Sequence, residues 1–559
     1  MGDPRNTHRS DGLEAILANI EYAHRLTRES DSVKIVAVVS GSDVDRDNWE
    51  EMLSGSKDHL FNADGSTVLL SFREKAGQKE KEGNMLGTLL AYRKLRKSFP
   101  AYRSHVAMLG MLFGRGERMS PITQALGDRK PGVVVTPGIE RINGVRRGYT
   151  AIEEGMMYFT PVAKYLEKRG FRGVLDKWGD ETEIASVDLT AEPEDPNAMA
   201  EHDVVKMISV LEITQERARQ KDWVVFNGSG DMVAQLSRNK KDVLIEQLKA
   251  RGIKPHGNGR FYAGVSLGPV AVSHDVLDIA EEVFSGDIEK PGVHFDFDPY
   301  FLMALTFTGT EAEWRAEARS DPALNALAGE NGMVPDFFEK VRKLKRAFRE
   351  KFGRELNVKT FDLGADVFWA DIGQHSAMRE KFMALRDEGP GGLVARKIAE
   401  VPEGRDGAGN IIVNSEISPA VKVTGSVLVN VKITGKGKVE DSVLLDSGFA
   451  DVEINKAFAV RSTRRGITCL AENSGLFESF GTGDLSLESG MRHVSVMTDG
   501  EKIDMVVSEG TDLRDKNNTY NVPIYGNRIS FDEAYNRMFG VGMKELERRR
   551  REWLRCQEG

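Results

Sequence analysis

Cysteine is nearly absent from this chain: Cys469 and Cys556 are the two in 559 residues. Two thiols so far apart provide no disulfide framework and no cysteine metal site, which points to a reducing compartment. Long apolar runs are missing too, and none approaches the roughly 20 residues of a helical membrane span. The opening residues MGDPRNTHRSDG lack the apolar core of a signal peptide, so a soluble, cytoplasmic protein that does not bind membranes is expected. There is no excess of basic charge. Lys plus Arg number 77 against 86 Asp plus Glu, for a net charge of −9. That balance argues against general nucleic-acid binding and still permits a local basic pocket. What is present is a normal globular mixture, 40% hydrophobic and 29% charged. The length exceeds one ordinary core, and the grammar of the chain divides it at about 100 and 400.

Residues 1–100 read as an α/β extension. Val33 to Val39 is a short apolar run ending in Ser-Gly-Ser, as a buried strand does, and Ser66 to Phe72 is a second one. Asn84 to Lys97 has helical spacing with basic residues in its last turn. Arg73, Lys75, Lys79, Lys81 and Arg93 form a basic cluster that reads as a solvated face, with phosphate contact as the alternative. Residues 101–400 alternate strands and helices. Val106 to Phe113, Val133 to Val135, Val204 to Leu211, Trp223 to Phe226 and Val265 to Val272 are strand candidates. Glu153 to Arg169, Lys241 to Arg251, His274 to Phe284 and the basic Asp336 to Phe352 are helical. Such alternation predicts a mainly parallel sheet covered on both faces, with ligands beyond the carboxyl ends of its strands.

In residues 401–559 the grammar changes. Ile411, Ile417, Val423 and Val429 fall six apart and, after a four-residue offset, so do Ile433, Val439 and Leu445. A six-residue period of small aliphatics predicts a hexapeptide β-helix, with an antiparallel sandwich as the alternative. The period blurs after about Ala450, and a basic helical tail follows Ser530.

Chemistry concentrates after Phe113. Gly114-Arg115-Gly116-Glu117-Arg118 follows an apolar strand, and Lys130-Pro131 comes shortly after. Glycines let backbone amides approach an anion closely; Arg118 adds a planar fork of donors and Lys130 a point charge. A phosphate chain is the anion these groups suit. Asp180 in Trp178-Gly179-Asp180 and Asp371 in Trp369-Ala370-Asp371-Ile372-Gly373 each stand at a strand end. Two carboxylates together with substrate phosphates are the usual holders of Mg²⁺.

Gly114-x-Gly116-x-Arg118-x-x-Pro121-Ile122-Thr123 with Lys130-Pro131 resembles the opening motif of the sugar-1-phosphate nucleotidyltransferases, the nucleotide-sugar pyrophosphorylases. Gly179-Asp180, Tyr262-Ala263-Gly264-Val265 and Trp369-Ala370-Asp371-Ile372-Gly373 are similar to that family's later motifs, in the same order. The resemblance covers residues 104 to 450. It implies a Rossmann-like mixed sheet of the GT-A-like nucleotidyltransferase type over 101–400 and a left-handed β-helix after it. It also implies Mg²⁺-dependent transfer of a nucleotidyl group from a nucleoside triphosphate to a sugar 1-phosphate, with pyrophosphate released. The residues Gly114, Arg115, Gly116, Glu117 and Arg118 would then bind the nucleotide, with Arg118 and Lys130 catalytic. Asp180 and Asp371 would bind the metal, and Gly264 and Arg238 the sugar phosphate. Members often assemble through the β-helix, so a homo-oligomer is an expectation.

The motif also departs from the family. Phe113 replaces its first glycine, Glu117 replaces Thr or Ser, and Glu-Lys-Pro is absent from Asp231 to Lys241. These departures keep open a regulatory or binding protein on the same fold. Asp296-Phe297-Asp298 has the Asp-x-Asp form of a nucleotide-sugar-dependent glycosyltransferase, a second alternative.

Overall fold

The computed structural model describes residues 9–74, 83–112, 116–127, 129–136, 148–257, 259–288, 290, 292–320, 334, 336–417, 426–429, 431–433, 443–445, 448–449, 453, 458–460, 463–465 and 467–558. The chain forms two compact units, Met1–Phe113 with Tyr158–Trp178 and Glu183–Phe368, and Gly114–Met157 with Gly179–Thr182 and Trp369–Gly559.

The first unit is built on a mixed sheet. Its strands, in chain order, begin with β1 (Ile35–Ser40), β2 (Val68–Arg73), β3 (Val106–Leu112) and β4 (Gly173–Trp178). After the short β5 (Glu181–Ile184) come β6 (Val204–Glu212), β7 (Trp223–Phe226), β8 (Met232–Leu236), β9 (Tyr262–Ser273) and β10 (Val358–Asp362). The spatial order is β10-β6-β9-β4-β3-β1-β2, with β7 joining β9 and β8 joining β7. Every residue of β1 and β3 is buried, which is why both read as unbroken apolar runs. The helices Gly83–Ser98, His274–Val283 and Phe337–Phe352 contribute Met85, Leu89, Val276, Leu277, Phe337 and Leu344 to the core.

The sheet is mixed rather than mainly parallel. Strands β1 to β4 pair in parallel, as do β6 and β10, but β9 runs antiparallel to both β4 and β6. A strand buried on both faces carries the same apolar run whichever way it points, so periodicity locates β9 without giving its direction. Val133 to Val135 is not a strand; Val134 makes only an isolated bridge to Thr150.

In the second unit, three-residue strands stack in parallel. Ile411 lies opposite Val427, then Val443, Phe458, Gly475 and Arg492. A second face stacks Ile417 on Ile433 and Ile433 on Phe449. The repeat is therefore 16 residues where it starts, and the six-residue spacing does not persist from coil to coil. The four-residue offset at Val429 and Ile433 is the corner between two faces; it recurs at Val413 and Ile417 and at Leu445 and Phe449. The stack does not end where the period blurs; it continues to Met491–Met497, where Lys502–Ser508 closes it antiparallel. Val423 and Val439 lie outside the described residues. Both cysteines are free, Cys469 half-buried and Cys556 exposed. Among the described residues no helix is long and apolar enough to cross a membrane.

Candidate functional site

The glycine loop follows β3, and its described part begins at Gly116, in the left-handed region at φ 59°. A Cβ there would stand 2.7 Å from Thr123 Cγ2 and 2.9 Å from Lys130 Cβ, so glycine is required for conformation and for close approach. Gly116 thus brings the backbone of the loop against the base of Lys130. Phe113, Gly114 and Arg115 lie outside the described residues, as do Lys75, Lys79 and Lys81 of the basic cluster near the start of the chain. Of that cluster, Arg73 pairs with Asp43, and Arg93 Nε donates to Glu281 at 2.8 Å.

Lys130 and Asp180 form an ion pair with both side chains largely buried. The Asp180 segment is fixed by its carbonyl, which accepts from Ile372 N at 3.3 Å. This bond places Asp180 beside the Asp371-Ile372-Gly373 turn, where Asp371 Oδ1 accepts from Gly373 N at 2.7 Å. Gly373 is the meeting point. A Cβ on it would lie 2.7 Å from Asp371 Oδ1, 2.8 Å from Arg118 Nη2 and 2.9 Å from Lys130 Nζ. Arg118, Lys130, Asp180 and Asp371, separated by up to 253 positions, therefore come together in one unit.

The electrostatics are unusual for a structural cluster. Burial draws Lys130 down to about 8, Asp371 and Glu181 pull it back up, and Arg118 pushes it down. Contact with Asp180 also favours the charged form, so Lys130 is an ammonium at neutral pH. Arg118 makes no hydrogen bond or ion pair among the described residues, although its guanidinium packs against a second cation. A cation held beside another without a partner is poised for an anion. The carboxylates are hard oxygen donors, and the donor set suits Mg²⁺. Among the described residues no three His, Cys, Asp or Glu converge as a ready metal cage. Asp180 and Asp371 with substrate oxygens and water would be the holders, the arrangement Mg²⁺ commonly takes.

Residues that sequence reasoning did not single out support this site. Arg129, 4% exposed, donates through Nη1 to Leu126 O at 3.2 Å and through Nη2 to Val541 O at 2.9 Å, which anchors the backbone next to Lys130. Arg550 Nη2 donates to Ala125 O at 2.8 Å. His375 Nε2 bonds to Ser120 O at 2.9 Å, joining the helix after Gly373 to the loop after Arg118. Its only signal in the sequence is its place two residues beyond Gly373. Burial draws His375 down to about 4, so the neutral ring donates. Glu117 is paired with Lys516, which neutralises its charge beside the loop.

Gly264 and Arg238 belong to the other unit. Gly264 lies in β9, where a Cβ would fall 2.7 Å from Ile208 Cδ1, so strand packing accounts for it. Arg238 is exposed and pairs with Asp222 at 3.0 Å. In the Asp-x-Asp motif, Asp298 accepts from the fully buried Lys206 at 2.5 Å, and Asp296 accepts from Asn84 N at 2.7 Å. Asn84 Oδ1 in turn accepts from Phe297 N at 2.7 Å. Nearby Asp176 is buried in β4, which holds its carboxyl well above the usual range; Asp296 and Asp298 add to that shift and Lys206 opposes it.

No family model matches the chain, and no curated protein matches it significantly.

Proposed function

We propose that this protein is a sugar-1-phosphate nucleotidyltransferase, transferring a nucleotidyl group from a nucleoside triphosphate to a sugar 1-phosphate. The observation that carries the reading is the convergence of Arg118, Lys130 and Asp371 on the bare α-carbon of Gly373, with Asp180 on Lys130. A guanidinium without a partner among the described residues and a buried ammonium beside a glycine loop suit a polyphosphate better than any neutral ligand. In the reaction, a phosphate oxygen of the sugar phosphate attacks the α-phosphorus in line. The bond from that phosphorus to the bridging oxygen of the β-phosphate breaks, and pyrophosphate leaves. Arg118 and the loop amides hold the β- and γ-phosphates and stabilise the charge of the leaving group; Lys130 steadies the phosphates near the reacting centre. Asp180 and Asp371 would hold Mg²⁺, which supplies charge neutralisation between two anionic substrates. The nucleophile is already an anion, so no side chain need take a proton.

The coil stack supports the second half of the reading, a left-handed β-helix appended to a GT-A-like sheet, through which copies of the chain would assemble. Two observations weaken the alternatives. Lys516 cancels the charge of Glu117, one of the three departures that favour lost catalysis. Both aspartates of the Asp-x-Asp motif are engaged in packing of the first unit. The purified chain, incubated with Mg²⁺, four nucleoside triphosphates and a panel of sugar 1-phosphates, should release pyrophosphate with one pairing. Sugar transfer without pyrophosphate would favour the glycosyltransferase instead, and triphosphate binding without turnover the regulatory protein.

A further inference from the structure

Glu117 is the oddest residue of the glycine loop, a carboxylate where a phosphate is to be bound. Its partner explains it. Lys516 comes from a turn nearly four hundred positions later and places its Nζ on Glu117 Oε2. The turn is rigid. Asp515 Oδ1 accepts from Asn518 N at 3.1 Å, Thr519 Oγ1 donates to Asp512 O at 2.7 Å, and Tyr520 is fully buried. Lys516 Nζ lies 4.0 Å from the centre of the Tyr520 ring, a cation–π contact.

We propose that Lys516 is a third phosphate-binding cation of this site, and that Glu117 holds it in reserve beside the loop. The inference rests on the triphosphate reading above. The Lys516 and Glu117 side chains are 40% and 25% exposed, so the pair lies at the rim of the protein although Nζ itself is covered. An ammonium has three N–H donors, and among the described residues Nζ makes no hydrogen bond in good geometry. It therefore has donor capacity to spare. The flexible four-carbon stem lets the ammonium swing from Glu117 to an arriving phosphate while the turn stays fixed. A chain of three phosphates carries enough charge to draw Lys516 away, and a single phosphate competes poorly. Lys516 would thus select the triphosphate by its length and charge.

A purely structural latch makes a different forecast, because either half of a latch breaks it. Inorganic tripolyphosphate, titrated calorimetrically into the full chain, avoids the unknown base. Lys516→Met should weaken its binding about tenfold, the usual loss for one charge-assisted hydrogen bond. Lys516→Arg, which keeps the charge, should restore most of the affinity. Glu117→Gln should tighten binding by about threefold, since it removes a competitor and a like charge. Equal weakening by Lys516→Met and Glu117→Gln would overturn the proposal in favour of a latch, and an unchanged Lys516→Met would overturn it outright. If the unmodified chain binds neither tripolyphosphate nor any of the four nucleoside triphosphates, the functional reading itself fails and takes this one with it.

Discussion

Two groups of lysine and aspartate, one in each unit, make an instructive pair. Around β4 and β6, Lys206 and Asp176 are sealed inside, and Lys206 donates to Leu267 O and pairs with Asp298, which among the described residues leaves no cation there without a carboxylate. Around Gly373, Lys130 and Asp180 pair in the same way, yet Arg118 beside them has no partner among the described residues. The residue types are alike; the difference is whether charge is left over. A buried cluster must satisfy itself, because every unpaired charge there carries a desolvation penalty. A binding cluster keeps some capacity unspent for the ligand.

The same change in both clusters should break this comparison most visibly. Asp180→Asn or Asp371→Asn should lower turnover by at least about a hundredfold, with the thermal midpoint nearly unchanged. Asp176→Asn should leave turnover alone and keep or raise stability at neutral pH. Burial pushes this carboxyl towards its neutral form, which an amide resembles, so little is lost. If Asp176→Asn abolished turnover, the two clusters would not divide into structural and functional.

Gly373→Ala is the next test. The three atoms nearest its Cβ would be side-chain ends, of Asp371, Arg118 and Lys130, so folding should suffer by less than about 1 kcal/mol. Displacing three charged groups together should still lower kcat/KM by about a hundredfold.

Acid should act on both units in parallel. His375 in one and His274 in the other are each held near pKa 4 by burial, below the ordinary 6.5. The unfolded chain takes up those protons first, so stability is full above pH 6.5 and falls as pH drops towards 4. Each ring contributes at most about 3 kcal/mol across that window. Denaturant titrations between pH 7 and 4.5 should show the slope, and His375→Gln should reduce it.

The smallest effect belongs to Lys130. As its charge is lost through about pH 8, triphosphate affinity should decline above that pH by less than about tenfold. Binding isotherms at pH 7 and 9 would measure it, and Lys130→Arg should flatten the difference.

How much of this was legible in the sequence follows from the range of each interaction. β1, β2, β3, Trp223–Phe226 and the helix at 337–352 come from local spacing, and all lie within a few residues of expectation. The antiparallel course of β9 depends on which neighbours it meets, and no local pattern encodes that. Short β8 and β10 escape the apolar pattern because neither carries a sustained apolar run; Gln235 and Lys359 interrupt them. The aliphatic spacing points to short repeated strands but misses the 16-residue repeat, since a regular four-residue offset resembles an interruption until the strands are laid over one another. Motif order groups Asp180, Asp371, Arg118 and Lys130, and the fold brings these four together. Gly264 and Arg238 have local structural partners in the other unit. Arg129, His375 and Lys516 were invisible because their partners lie 412, 255 and nearly 400 positions away.

The anchoring of Arg129 has a consequence for how the protein is made. Its acceptor at Val541, and the Arg550 that holds Ala125, are synthesised more than four hundred residues later. Until they arrive, Arg129 has Leu126 O for its Nη1 and lacks the carbonyl that receives its Nη2. The sheet strands β1 to β4 close on partners already synthesised, whereas closure of the site spans more than four hundred residues and is correspondingly slow. A nascent chain can therefore hold its sheet strands paired for many seconds of further synthesis while the segment at Lys130 is still without its anchor.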